Sequence, residues 1–274
     1  MSMLVHVLNI GLPFAYLATL AAYGIAFSHG HSIARRLSNP LLVATLVLHA
    51  LYLLERTLAF QHPPITSIFE ILSLVAFAIA VSYAAIEYQT GITTTGGFII
   101  ALAFLFQTIS SLTIQDLEQV PAILRSNLLG VHVTSAMLGL SAFAISFVYG
   151  ALYLVLYHHL KAAKFGLLYD RLPNLEELEK MTTVAIVTGF LLLTVAIAVG
   201  LVWLSKALEN ASYADPKLVG TIIIWLLYGI GLLARTTLGW HGRKLMLLSV
   251  TGFLFSLLSL TVVNVFFSGF HKFY

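Results

Sequence analysis

Residues 127–157 read NLLGVHVTSAMLGLSAFAISFVYGALYLVLY. The stretch is far longer than a membrane β-strand and lacks the apolar–polar alternation that a barrel wall needs, so it reads as a membrane-crossing helix. A bilayer core takes about 20 predominantly apolar residues to cross. Working outward, seven further runs meet that length, at 4–28, 40–60, 67–88, 96–113, 182–205, 218–238 and 245–268. In hydrocarbon every backbone N–H and C=O must be satisfied within the protein. The expectation is therefore an all-α integral membrane protein, a bundle of eight transmembrane helices. The loops are short, so residues 1–274 are expected to form a single domain.

Composition agrees. Of 274 residues, 59% are apolar and only 9% charged, with a mean hydropathy of +0.96. A soluble domain of this length could not hide so much apolar surface. Soluble enzymes, disordered binders and, with no Cys, disulfide scaffolds are set aside. Lys and Arg form no stripe suited to nucleic acid. The first run has no basic leader and is followed by His29-Gly30-His31 rather than a small-residue cleavage site, so it reads as a retained helix. With eight spans, loops one, three, five and seven carry nine Lys and Arg, and the opposite side five. The positive-inside rule then places both termini outside. In the largest inner loop, 158–181, Asn174 ahead of Leu175-Glu176-Glu177 reads as the N-cap of the helix leading into the sixth span.

Ten histidines stand out among so few polar residues. His29, His31, His158 and His159 fall at the inner ends of spans, His241 in an inner loop, and His62 before Pro63-Pro64 in an outer turn. These are expected to face solvent, while His6 is ambiguous. Three remain. His49 lies about 15 Å along its helix from the inner end, near the midplane. It reads either as a metal ligand or as a buried histidine hydrogen-bonded to another helix. His132 lies in the first outer turns of span five and His271 just past the outer end of span eight, so the topology puts both at one membrane face. Two opposed neutral imidazoles suit six-coordinate haem iron, although two unrelated histidines fit the spacing as well. Arg56 is two turns outward from His49 on nearly the same face, with Glu55 beside it and Glu70 at the start of span three. Arg56 is placed to meet a carboxylate or a haem propionate, to snorkel, or to pair with Glu70. Neither a nucleophile nor an acid–base pair is apparent, so the chain is not expected to be an enzyme.

From Arg171 onward the motifs are more specific: Leu172-Pro173-Asn174-Leu175-Glu176-Glu177-Leu178, Gly189-Phe190-Leu191-Leu192-Leu193-Thr194, Gly200-Leu201-Val202-Trp203 and Asp215-Pro216-Lys217, then Trp225-Leu226-Leu227-Tyr228, Arg235, Gly239-Trp240-His241-Gly242-Arg243-Lys244, Gly252-Phe253, Val263-Asn264-Val265 and Gly269-Phe270-His271. With His49, Arg56, Pro64 to Glu70 and His132 to Tyr153 upstream, nearly the whole chain resembles, in order, the cytochrome c assembly family of haem-handling membrane proteins, the group that contains CcsA (ResC) and CcmC. The resemblance implies a bacterial cytoplasmic membrane protein that binds non-covalent, b-type haem through His132 and His271 at the outer face. It further implies a second haem position involving His49 and Arg56, with Glu70 and Asp215 orienting ligands or holding the outer loop.

Two departures from the family pattern are evident. The second intramembrane histidine falls on Leu233, which cannot ligate iron. The tryptophans of the outer loop fall on Leu208, Ser212 and Ala214, which removes the aromatic surface that stacks on a porphyrin. The chain therefore looks more like the HemX-like and CorE-like branches than a full haem-attachment synthase. Three readings follow. The first is a haem binder in cytochrome c biogenesis, with or without a ResB-like partner. The second is a membrane regulator of haem synthesis acting on the level of glutamyl-tRNA reductase through segment 158–181. The third is a small ion or metal transporter using His49, Glu70 and Arg56; it lacks the internal repeat and broken helices common in such proteins.

Overall fold

The computed structural model describes residues 3–65, 67–114, 127–207 and 216–266, and all regular structure among them is helical. In chain order the helices are α1 (Met3–His29), α2 (Ser32–Phe60), α3 (Ile68–Thr90), α4 (Gly96–Thr113), α5 (Asn127–Lys161), the short α6 (Leu167–Arg171), α7 (Leu175–Ala207), α8 (Pro216–Thr237) and α9 (Arg243–Phe266). Seven of them, α1 to α5, α7 and α8, are long and apolar enough to cross a membrane, and α9 covers the eighth apolar run.

One boundary differs from the expectation. The sequence places Arg35 and Arg36 in a loop that ends at Pro40, whereas α2 already begins at Ser32 and runs through the proline. Pro40 has no N–H to give to the Arg36 carbonyl. The turns around it nevertheless hold, with Arg35 N bonded to His31 O at 3.1 Å and Ser38 Oγ donating to Ala34 O at 2.8 Å. The connection shrinks to Gly30, at φ 66°, and His31. Asn174 caps α7 as expected, its Oδ1 accepting from Glu177 N at 2.8 Å.

The helices group into two compact units. In the first, α1 to α4, the inward positions follow alternating steps of three and four: Val5, Asn9, Leu12, Tyr16, Thr19 and Tyr23 on α1, and Ser38, Leu42, Thr45, His49, Tyr52 and Arg56 on α2. This is the seam of a left-handed helix pair. Its content is reversed relative to a soluble protein: hydroxyls, amides and charges face in, while Leu4, Val7, Ile10, Phe14, Val43, Val47 and Leu51 are exposed. Lipid is as apolar as leucine, so packing and interhelical hydrogen bonds hold such helices together.

The second unit contains α5, α7, α8 and α9, and its most extensive helix pair is α5 with α7. The two run antiparallel, Gly139 against Gly189 and Leu193 at one level and His132 against Ala196 and Gly200 at another. Glycine is required where they come closest, since a Cβ on Gly189 would sit 2.6 Å from the Phe143 ring. Phe143 in turn stacks on Tyr228 of α8, with ring centroids 3.9 Å apart, and Ser249 of α9 donates to Ser146 of α5 at 2.9 Å. Between α8 and α9, Gly239 and Gly242 take positive φ, and Gly242 N donates to Glu179 Oε1 at 3.0 Å.

Replacing Gly189 with Leu overpacks this seam and is expected to destabilise the second unit by about 1–3 kcal/mol. Thermal unfolding in detergent checks this, with Gly166→Ala, whose Cβ meets nothing within 4 Å, expected to match the parent.

Candidate functional site

Within the first unit, His49 of α2 is wholly buried and both of its nitrogens are engaged. Nδ1 lies 2.9 Å from the Tyr16 hydroxyl of α1 and Nε2 lies 3.0 Å from Ser73 Oγ of α3. Ser73 gives its only proton to Gln107 Oε1 of α4 at 2.9 Å. It can therefore only accept from His49, which puts the imidazole proton on Nε2 and makes Nδ1 the acceptor for Tyr16. Gln107 Nε2 donates onward to Ser111 Oγ at 2.9 Å, and the Ser111 carbonyl accepts from Asn9 of α1 at 3.1 Å. The bonds thus lead from α1 through α2, α3 and α4 and back to α1. In this arrangement His49 is a hydrogen-bonded partner of two other helices, and ligation of iron would require one of these bonds to open.

Toward the C-terminal end of α2, Arg56 and Glu70 form the ion pair that was one of the sequence alternatives. Arg56 Nε and one terminal nitrogen both lie 2.9 Å from Glu70 Oε1, and the two side chains are 2% and 1% exposed. Glu70 sits in the first turn of α3, where its N–H is bonded to the Ser67 cap at 3.2 Å. Arg56 also lies over the Phe60 ring, 4.8 Å from its centroid, a cation–π contact. Near the other end of α2 and α3, Glu87 accepts from Tyr23 at 2.5 Å and from Asn39 at 3.2 Å.

In the second unit, His132 is half-buried and its Nδ1 lies 2.7 Å from the Ala196 carbonyl of α7. A carbonyl only accepts, so Nδ1 carries the proton and the lone pair of the neutral ring is on Nε2. A ring N–H donated to a backbone carbonyl is the usual way a metal-binding histidine is oriented, so this residue fits the requirements of an axial iron ligand. Leu233 is 61% exposed and faces away from the packed side of α8. His271 and Asp215 lie outside the described residues, as do Leu208, Ser212 and Ala214.

Of the remaining histidines, His6, His29, His31, His158 and His241 are exposed. Two depart from the expectation of solvent exposure: His159 is half-buried, and His62 is only 4% exposed, because its ring folds back to bond Pro63 O at 2.9 Å beside Phe60. Sequence reasoning missed Tyr16 and Ser73 as partners of His49, Gln107 and Asn9 farther along the same bonds, and Ala196 and Gly200 as the surface that holds His132. In the first set Tyr16 and Asn9 had a signal, the three–four spacing of inward positions along α1. The second is backbone, which leaves no side-chain pattern.

Comparison with known proteins adds lineage. The family described as "Cytochrome C assembly protein" matches residues 37–271. The chain is 30% identical over 230 residues to the cytochrome c biogenesis protein CcsA of Guillardia theta, covering 77% of this chain and 76% of that one. It is 29% identical over 274 aligned positions to the CcsA of Prochlorococcus marinus, covering 91% and 87%. It is also 34% identical to protein HemX of Bacillus subtilis over 129 residues, 47% of each chain.

Removing one partner of the Arg56–Glu70 pair strands a buried charge. Arg56→Met alone is expected to cost about 3–5 kcal/mol and Arg56→Met with Glu70→Leu markedly less, read as thermal stability in detergent. Equal losses in the single and double variants would contradict a paired role. His49→Ala is expected to cost about 1–3 kcal/mol by leaving the Tyr16 and Ser73 hydroxyls short of a partner; unchanged stability would contradict the ring of bonds.

Proposed function

Because the chain belongs to the cytochrome c assembly protein family, we propose that it is a multi-pass protein of the bacterial cytoplasmic membrane that binds one non-covalent b-type haem and handles it during cytochrome c biogenesis. In this reading α9 provides the eighth crossing, both termini lie outside, and the haem sits near the outer face between His132 and His271. One observation carries the proposal: His132 Nδ1 is bound to the Ala196 carbonyl at 2.7 Å, the kind of backbone bond that orients a metal-binding histidine.

Haem iron held by two imidazoles supplies electron transfer or a transferable cofactor rather than an open coordination position. The protein's own contribution is to orient the His132 ring, exclude water and bury the macrocycle. The first unit serves as a rigid helical body in which His49 and Arg56 hold neighbouring helices, and no catalytic nucleophile takes part, so the protein acts as a handling factor rather than an enzyme. A ResB-like membrane protein is the natural recipient or co-factor of such a carrier.

A second reading is favoured by the match to HemX: a membrane regulator of the level of glutamyl-tRNA reductase, acting through the cytoplasmic segment around α6. Loss of that enzyme from pull-downs when residues 162–173 are replaced would support it.

The protein purified in mild detergent is expected to show the reduced absorption spectrum of six-coordinate low-spin haem. His132→Ala and His271→Ala should each lose it while remaining folded. A colourless parent protein, or full colour in both variants, would contradict the proposal.

A further inference from the structure

Resting on the reading of His132 as an iron ligand, we infer that Gly200 is its positioning residue: the missing side chain at 200 leaves room for the imidazole to lie against the α7 backbone and bond to Ala196. A Cβ built on Gly200 would sit 2.6 Å from His132 Nδ1 and 2.8 Å from Cε1, closer than real Cβ atoms approach. The obstructed atoms are on the edge of the ring that donates to the Ala196 carbonyl, 2.7 Å away. Ala196 and Gly200 are one helical turn apart, so they present a smooth strip of α7 on which the ring rests. Neither the small side chain at 196 nor the absent one at 200 lifts the ring off the backbone.

This gives Gly200 a role distinct from that of the other seam glycines. Gly139 also faces α7, but a Cβ there meets Gly189 O and Leu193 N, each at 3.3 Å, and Leu192 Cβ at 3.5 Å, and no ligand ring. It governs how closely the two helices approach, and lies two turns from His132 on the same face of α5. Gly200 governs where the ligand ring points. The consequence is electronic as well as geometric: an imidazole that donates its N–H to a carbonyl is a more basic ligand, which favours ferric over ferrous iron. A side chain at 200 would push the ring away, weaken that bond and redirect Nε2.

The test compares the full-length parent, Gly200→Ala and Gly139→Ala in detergent. Two measurements are made: absorption and redox titration of the haem-bound protein, and nitrogen-15 NMR of histidine-labelled, haem-free protein, with the His132 signal identified by its loss in His132→Gln. The parent should hold His132 with its proton on Nδ1. Gly200→Ala should give a mixture of tautomers, a loss of low-spin haem and a rise in reduction potential. Gly139→Ala should keep the parent's tautomer and potential even if its melting temperature falls.

The inference is overturned if Gly200→Ala keeps the parent tautomer and potential, or if Gly139→Ala changes both to the same extent. Should Gly200→Ala not fold, a parent protein with its His132 proton on Nε2 would overturn the inference by itself, and one with the proton on Nδ1 would support it. A haem-free parent whose tautomer responds to Gly200→Ala, but not to Gly139→Ala, would remove the haem reading while leaving the positioning role in place.

Discussion

The hydrogen bonds that join Tyr16, His49, Ser73 and Gln107 express the constraint under which the first unit is built. In hydrocarbon there is no water to satisfy a polar side chain, so each must find its partner within the protein, on its own helix as Ser38 does or on a neighbouring one. Apolar side chains gain little by leaving lipid for a protein interior. The usual arrangement is therefore turned outward, with leucine and valine toward the surroundings and hydroxyls, amides, an imidazole and an ion pair along the seam. The order of donation runs one way, from Tyr16 through His49 and Ser73 to Gln107, which fixes the register of four helices at once. Where buried polar groups satisfy one another they help to specify one structure, whereas a group left without a partner is costly.

The second unit solves the same problem with fewer polar groups. Its α5–α7 seam depends on close approach through Gly139 and Gly189, and aromatic stacking ties both helices to α8, Phe143 on Tyr228 and Phe190 on Trp225. These contacts account physically for several motifs that tie the chain to its family. Gly189-Phe190 supplies a glycine for the seam and a ring for Trp225, whose Nε1 donates to Thr194 at 2.8 Å. Gly239 and Gly242 shape the turn that Glu179 clasps. In Gly252-Phe253 the glycine makes room for Tyr228 and the ring packs on Phe147. What unites these positions is packing rather than chemistry, so resemblance along them establishes kinship more firmly than function.

The helical architecture was legible because length and apolarity alone decide what can cross a bilayer, and the Asn174 cap was legible because its chemistry is local. The start of α2 was not, since Arg35, Arg36 and Pro40 resemble a loop and only the continuous backbone bonds around them show otherwise. The Arg56–Glu70 pair was one of the alternatives the sequence offered but could not single out, because both a partner and an exposed position satisfy an arginine near a helix end. His49 was singled out for its depth, yet its depth says nothing about occupancy; the residues that bond to it come from two other helices, Tyr16 of α1 and Ser73 of α3. At His132 the informative groups are a carbonyl and an absent side chain, neither of which announces itself in a sequence.

The proposed haem site depends on His132, whose imidazole is held by the Ala196 carbonyl of α7 at 2.7 Å. Near-infrared magnetic circular dichroism of the oxidised protein tests this most directly, because its charge-transfer band reports the pair of axial ligands. The position characteristic of two imidazoles, lost when His132 is replaced, is the predicted result. A band from another ligand pair, a high-spin spectrum, or a bis-imidazole signal that survives the loss of His132 would contradict it.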